Sequence, residues 1–203
     1  DGTITTIANR LSSRPYSSRE FTSAIGEYLV EENLGSDSIL RLCYEKKVPI
    51  FIPSLSDCAA GFGLVLHQSK NPKSHISHDS VRDFSELGEV VINSNGTGLL
   101  IIGGGVPKNF TQDTVVLAEI LGREVPMHKF AVQITVADER DGALSGSTLK
   151  EAHSWGKVEE GAEQMVFSEA TLSLPLLASY AYHKNDWKLR AEKKLNSLFQ
   201  HID

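Results

Sequence analysis

The sequence predicts an α/β protein in which helices cover both faces of a mostly parallel β-sheet. Short apolar runs alternate along the chain with longer segments whose apolar residues recur at helical spacing, the order expected of strand–helix units. These short runs are apolar at nearly every position, as in strands that are buried on both faces. We therefore expect a three-layer, doubly wound, Rossmann-like domain. The 203 residues, 40% of them hydrophobic, can form its core.

The first part of the chain contains a loop, two helices and a strand in this prediction. Residues 1–17 are polar and rich in turn-forming residues. Ser17 followed three residues later by Glu20 is a helix-start signal, and apolar residues at helical spacing follow it. A second helix is predicted over residues 36–46. Residues 48–52 are apolar and end at a proline, which predicts a buried parallel strand.

Three further strands and five further helices complete the predicted order. Apolar runs place the strands at residues 98–102, 131–136 and 165–167. Helical spacing places the helices at residues 61–67, 80–91, 109–121, 171–182 and 186–199. Ligands of such folds bind in the loops after the carboxyl ends of the strands, so these loops are where we look for a site.

Composition excludes several classes of protein. The net charge of −6 argues against a nucleic-acid binder, which would carry a basic surface. No apolar run reaches 18 residues, which argues against a membrane span. The seven histidines and two cysteines show no metal-binding spacing, so we assign no metal. Two cysteines make no disulfide framework, and we expect a reducing, cytoplasmic setting. The chain begins Asp-Gly-Thr-Ile, and we expect a piece of a longer or processed protein.

The segment around Lys157 carries the most specific chemical signal. The lysine directly follows Trp155-Gly156, and Glu151 lies six positions before it. An amine that attacks carbon must be neutral, and an aromatic wall disfavours the ammonium form of a lysine. Trp155 could form that wall or cover an organic cation, and Glu151 could anchor the cation or move a proton. The structural alternative is a solvated loop lysine beside a packed tryptophan.

A second candidate site is the glycine loop after the predicted strand at residues 98–102. Gly103, Gly104 and Gly105 stand between that strand and a helix, where glycines let the backbone approach a phosphate. The run lacks the full dinucleotide-binding fingerprint. A plain tight turn remains the alternative.

Several motifs together resemble the deoxyhypusine synthase family. The most specific is Ser154-Trp155-Gly156-Lys157 with Asp141-Gly142 upstream. The other matching blocks keep the family's order: Pro53, Asp57, His67, 70–72, Gly103–Gly105, Lys108, Ser145-Gly146, Glu151 and 173–177. The run from Gly103 to Phe110, together with Leu144-Ser145-Gly146, is similar to the bacterial deoxyhypusine synthase-like branch.

The resemblance implies an NAD-dependent transfer of an aminobutyl group from spermidine. Lys157 would be the nucleophile that holds the group as an imine before it passes to an acceptor amine. Glu151 and Trp155 match polyamine contacts of the family. Asn109, also assigned to the substrate site, lies with Lys108 and Phe110 where the family has paired histidines. The positions matching NAD contacts are Asp57, Gly103, Gly104, Gly105, Ala137, Asp141 and Glu169, where Glu169 replaces the family's usual aspartate.

Two positions that depart from the family pattern bear on the choice of substrate. Phe62 and Leu144 stand where the family places acidic residues against the ends of spermidine. An ammonium without its carboxylate loses a charge-assisted hydrogen bond of roughly 1.5–3 kcal/mol, so we expect poor use of spermidine. The alternatives are a polyamine-only transferase of the homospermidine synthase type or a non-catalytic regulatory subunit.

The resemblance covers only the C-terminal part of a family member, so we take residues 1–203 as that part of the α/β domain. The family's N-terminal part, with its phosphate loop, has no counterpart in this sequence. We therefore expect an N-terminal half or complementary subunit as partner. The resemblance also implies assembly as a homo- or hetero-tetramer.

Overall fold

The computed structural model describes residues 2–138, 140–144, 149, 156–157, 161 and 163–199. The chain divides into two compact units. The first comprises residues 1–87 and 194–203, and the second comprises residues 88–193. Each unit contains a parallel sheet. Helices precede, separate and follow the strands along the chain. The predicted α/β class with parallel strands is confirmed.

The first unit contains a short parallel β-pair and four complete helices. The helices are α1 (Gly2–Arg10), α2 (Ser18–Glu31), α3 (Ile39–Lys46) and α4 (Ala59–Lys70), and α5 (Ser80–Ile92) begins in this unit. Strands β1 (Pro15–Tyr16) and β2 (Ser77–His78) pair in parallel. The core of the unit joins α1, α2 and the segments beside α4 through Ile7, Ala8, Phe21, Ile25, Leu55 and Ile76.

The start of α2 shows how local sequence fixes an element. The Ser17 hydroxyl accepts a hydrogen bond from the backbone N–H of Glu20, and the Glu20 carboxylate accepts one from the backbone N–H of Ser17. This reciprocal capping box was predicted from the sequence and is confirmed. One turn further on, the buried Arg19 guanidinium makes two hydrogen bonds of 2.7 and 3.0 Å to Glu86, tying α2 to α5.

Two predictions for the first unit are wrong. Residues 2–10, expected in a loop, form α1, because Ile7 and Ala8 lie one turn from Ile4 and pack into the core. Residues 48–52, expected as a strand, lie outside any strand. Their backbone bonds instead to side chains of α2: the Thr22 hydroxyl donates to the Ile50 carbonyl at 3.0 Å, and the Ile52 N–H donates to the Ser18 hydroxyl at 2.7 Å.

The second unit is built on a three-stranded parallel sheet. Its strands β3 (Gly98–Ile102), β4 (Phe130–Thr135) and β5 (Glu163–Phe167) lie in the order of the sequence. Helices α6 (Val106–Gln112) and α7 (Thr114–Ile120) connect β3 to β4, and α8 (Ala170–Lys184) follows β5. The core contains Ala131 and Leu149, with Leu99, Ile101 and Met165 packed against them.

Two helix predictions differ from the structure in this part of the chain. The single helix expected over 109–121 is two helices that meet at Asp113. The helix expected over 186–199 is two short 3-10 turns, Asp186–Leu189 and Leu195–Phe199. Asn185 ends α8 in the left-handed conformation at φ 64°, which stops the helix. Lys194, with φ 50°, separates the two turns.

Candidate active site

The loops that follow the three strands of the second unit open at one edge of the sheet. The strands are parallel and in register, with Ile102 beside Ile134 and Thr135 beside Phe167. Gly103 is fixed to this edge, because its N–H donates to the Ile134 carbonyl at 2.9 Å. The Gln133 side-chain amide donates to the Gly103 carbonyl at 2.8 Å. This carboxyl edge is the ligand-binding edge of an open α/β sheet.

The glycine loop has a backbone that other residues would strain. Gly103 and Gly105 have φ of 84° and 74°, in the region that favours glycine. No heavy atom of the described residues lies within 4 Å of a methyl group built on either one. The loop therefore has open space beside its backbone, which a phosphate group could approach closely.

Two more of the predicted cofactor residues lie on the same edge. Ala137 is buried, and its N–H donates to the Thr135 hydroxyl at 3.0 Å, which turns the chain after β4. Glu169 caps α8, and its carboxylate accepts hydrogen bonds from the hydroxyl and backbone N–H of Thr171. These two bonds lower the pKa of the Glu169 carboxyl. Glu169 is thus an ionised carboxylate at the carboxyl edge of the sheet.

Lys157 forms an ion pair that its sequence surroundings did not indicate. Its Nζ lies 2.5 Å from Oδ1 of Asp113, and 20% of its side chain is exposed. The Lys157 carbonyl accepts a hydrogen bond of 3.0 Å from the backbone N–H of His128. Lys157 is therefore held at two points, through its backbone carbonyl and through its side-chain amine. An ammonium group cannot attack carbon, so nucleophilic chemistry at Nζ would require that a proton first leave it.

Asn109, Leu144 and Asp141 occupy different surroundings in the second unit. Asn109 is half-buried in α6, directly after Lys108, whose side chain is 2% exposed. The Lys108 ammonium donates to the Leu144 carbonyl at 3.1 Å. The Leu144 side chain is fully buried. Asp141 is exposed, and its carbonyl accepts from the N–H of Leu144 at 3.0 Å.

The remaining predicted site residues lie elsewhere or outside the described residues. Asp57 and Phe62 belong to the first unit, where Asp57 is exposed after a turn and Phe62 is 69% exposed on α4. Glu151 and Trp155, the two predicted polyamine contacts beside Lys157, lie outside the described residues. In the described part of the chain, no group of three or more histidine, cysteine, aspartate or glutamate side chains is placed to hold a metal ion.

A cleft of about 630 Å³ opens beside Gly156. Its lining combines apolar and charged side chains: Val115, Glu119, Arg123, Glu124, Val125 and Met127. The lining therefore places two carboxylates and one guanidinium group beside apolar walls. The sequence prediction did not include this cleft.

Asp113, the ion-pair partner of Lys157, is the residue of the candidate site that sequence reasoning missed. It follows a helical period that continues on both sides, so its sequence context predicts an exposed position inside one helix. Hydroxyls near the break compete for backbone groups: Thr111 donates to the Pro107 carbonyl and Thr114 donates to the Thr111 carbonyl, both at 2.7 Å. The closely spaced threonines are the signal that could have indicated a break.

The chain was compared with known proteins. A family model described as deoxyhypusine synthase matches residues 1–181. Deoxyhypusine synthase-like proteins of Chlorobaculum parvum and Coxiella burnetii are 60% identical over 199 residues and 59% identical over 201 residues. The chain belongs to the deoxyhypusine synthase family. A deoxyhypusine synthase family protein of Methanosarcina mazei, named "Probable deoxyhypusine synthase 2", is 41% identical over 200 residues.

These alignments cover nearly all of this chain but only part of each relative. Each includes 98% of the chain and 57%, 57% and 56% of the respective relatives. The chain thus spans a little more than half the length of the deoxyhypusine synthase family members it matches. The family assignment made from the Ser-Trp-Gly-Lys block and the glycine loop is confirmed.

Proposed function

We propose that this chain carries the Lys157 part of an NAD-dependent transferase. The enzyme would move an aminobutyl group from spermidine or a related polyamine to an acceptor amine through a lysine imine. The observation that carries the proposal is Lys157 itself: a mostly buried amine, fixed at backbone and side chain, in a member of the deoxyhypusine synthase family. A lysine held in this way can be presented repeatedly to the same carbon atom.

The carboxyl edge of the sheet supports the cofactor part of the proposal. NAD, when bound, would accept a hydride from the amine donor and later return it. Gly103, Gly104 and Gly105 would lie against its phosphates, and Ala137 and Glu169 would flank the nucleoside. Asp57 and Asp141 are included by resemblance to the family.

The substrate part of the proposal is carried by the cleft beside Gly156 and by the two apolar replacements. Glu119 and Glu124 offer carboxylates next to apolar walls, and Glu151 and Trp155 are included by resemblance. Phe62 and Leu144 supply no charge where the family has acids, so a donor with two strongly hydrated ends would leave one charge unpaired. We therefore expect slow cleavage of spermidine, and a smaller or differently spaced polyamine is the favoured donor.

The proposal includes a partner and a setting. The chain would work with the N-terminal half of the same enzyme or a complementary subunit, as a homo- or hetero-tetramer in the cytoplasm. Within the described residues, no helix is both long enough and apolar enough to cross a membrane.

A non-catalytic subunit of the same fold is the second candidate function. The observation that favours it is the loss of both acids, at Phe62 and at the fully buried Leu144. In that case the ion pair of Lys157 with Asp113 would serve the fold alone.

Borohydride trapping separates the two candidates. The native assembly is incubated with NAD and a polyamine, reduced with borohydride and analysed by peptide mass spectrometry. We expect an adduct on Lys157 that is absent from Lys157→Arg, since a protonated guanidinium forms no imine. Lys184→Arg is the matched control, because Lys184 is also ion-paired, to Asp186 at 2.8 Å, but is exposed. An adduct on another lysine, or none with any polyamine tested, would contradict the transferase proposal.

A further inference from the structure

Asp113 is held rigidly at the junction between α6 and α7. Its N–H donates to the Asn109 carbonyl at 2.9 Å, and its carbonyl accepts from the N–H of Leu117 at 2.8 Å. The carboxylate leaves this junction with one oxygen 2.5 Å from the Lys157 amine. The backbone N–H and carbonyl of Asp113 both take part in helical hydrogen bonds. These bonds hold the Cα atom from which its side chain extends.

The backbone of Lys157 is held by His128, a residue that brings no charge to the site. The His128 N–H binds the Lys157 carbonyl at 3.0 Å, and the His128 ring is buried with Nδ1 2.7 Å from the Thr97 hydroxyl. Burial lowers the pKa of the His128 ring, an effect that the carbonyls of Thr111 and Gln112 reduce. The ring is therefore neutral at physiological pH, and it adds no positive charge next to Lys157.

Among the charged side chains that the structure describes near Lys157, Asp113 is the one that pairs with its amine. Among the described residues, Asp113 supplies the carboxylate within 4.0 Å of Nζ. Glu119, Arg123 and Glu124 line the cleft beside Gly156, but within the described residues the ion pair of Lys157 is the one with Asp113. About two-fifths of the Asp113 side chain is exposed, so the pair is reachable by a substrate.

We propose that Asp113 is the counter-ion of Lys157 and receives its proton before the amine attacks carbon. This inference rests on the proposed function for its chemical purpose, although the ion pair itself does not. Asp113 exchanges this proton with the reacting atoms and is therefore a catalytic residue in this proposal. It keeps the amine oriented and protonated until an imine arrives.

The proton inventory of an exchange of imines balances with this assignment. The Lys157 ammonium gives one proton to Oδ1 of Asp113, and the neutral amine forms a bond to the imine carbon while the C=N π electrons move to the imine nitrogen. A second proton passes from Nζ to that nitrogen, and Asp113 returns the first proton to the same atom. The old carbon–nitrogen bond then breaks, its electron pair leaves with the departing amine, and Lys157 holds the carbon as a protonated Schiff base. Nothing is oxidised or reduced in this exchange.

The test measures how fast Lys157 reacts with trinitrobenzenesulfonate, a reagent specific for neutral amines. It needs neither NAD nor a polyamine, so its outcome is independent of whether the enzyme transfers an aminobutyl group. The full chain, Asp113→Asn and Asp113→Glu are labelled at about pH 7.5, far below the ordinary lysine pKa of about 10.4, and at about pH 10.5, close to that pKa. Labelling is quantified for the separate peptides that contain Lys157, Lys108 and Lys184.

We expect Asp113→Asn to label at Lys157 about threefold faster at the lower pH, the size typical of one partly exposed ion pair. The difference in labelling rate should narrow at the higher pH, where a much larger share of the amine is neutral in both proteins. Asp113→Glu should restore slow labelling because it restores the charge. Asp186→Asn is the matched control, since it removes the partner of Lys184 and should leave Lys157 unchanged.

Two results would overturn the proposal. Equal labelling of Lys157 in the chain and in Asp113→Asn at both pH values would show that the carboxylate does not hold the proton. Faster labelling of Lys108 as well, whose side chain is 2% exposed, would show that Asp113 holds the local fold rather than the amine. Failure of aminobutyl trapping with a normal labelling result would remove the transferase function and leave the ion pair standing.

Discussion

Phe62 and Leu144, which by resemblance stand where the family places acidic residues, occupy opposite environments. Phe62 is 69% exposed on α4, and Leu144 is fully buried beside the Lys108 ammonium group. A single change of chemistry therefore has different consequences at the two positions. Restoring a carboxylate is a surface change at Phe62, whereas at Leu144 it places a charge in the interior.

We expect Phe62→Asp to change the free energy of unfolding by less than about 0.5 kcal/mol, and Leu144→Asp to reduce it by about 3 kcal/mol or more. Thermal unfolding of the two variants, each compared with the unchanged chain, measures both effects. If Leu144→Asp unfolds at the temperature of the unchanged chain, the buried placement of Leu144 is wrong.

Because Phe62 is exposed, substituting it tests whether a carboxylate at this position affects the use of spermidine. Phe62→Asp alone should raise spermidine cleavage by the native assembly if the acid at this position binds an ammonium group. Cleavage is followed by the diaminopropane released in the presence of NAD. Efficient cleavage by the unchanged protein would contradict the argument that the missing carboxylates disfavour spermidine.

At the scale of elements, the loop between β3 and α6 depends on glycine for its path. Gly105 stands directly before α6 with φ 74° and ψ −153°, a conformation that only glycine adopts without strain. We expect Gly105→Ala to reduce the free energy of unfolding by about 1–3 kcal/mol. Gly142→Ala is the control, since Gly142 also has open space around it but no positive φ. Equal melting temperatures for the two variants would contradict the assigned loop conformation.

The elements with strong local signals were the ones that the sequence predicted well. Residues 98–102 form β3 as predicted, and Ser17 with Glu20 caps α2, because an apolar run and a capping box act within a few residues. Residues 48–52 carry an equally apolar run, but tertiary bonds to Ser18 and Thr22 determine their conformation. Such bonds leave no mark in the local pattern.

The candidate site follows the same division. Lys157 and the glycine loop were found from motifs that are contiguous in sequence. Asp113 was not found, because its role depends on a contact with a residue distant in sequence and on a helix break at its own position. The cleft beside Gly156 was missed for the same reason, as its lining comes from α7 and the following loop.

At the scale of the whole molecule, α8 carries apolar side chains that the described chain leaves uncovered. None of its residues is buried, and six of its large apolar or aromatic side chains are exposed: Leu172, Leu174, Leu176, Leu177, Tyr180 and Tyr182. A helix that is apolar on all sides is normally buried against other protein, and an apolar patch of this kind marks an interaction surface.

We therefore expect the chain to associate through α8. Analytical ultracentrifugation should give a mass above the 22.2 kDa of one chain. The double variant Leu172→Asp, Leu176→Asp should shift the mass toward 22.2 kDa, because the two leucines lie one turn apart on one face of the helix and two charges cannot be buried there without partners. Leu189→Asp is the control, since Leu189 is 90% exposed and lies beyond the end of α8. A stable 22.2 kDa monomer before any substitution would rule out this association, and equal effects of the double variant and the control would place the contact outside α8.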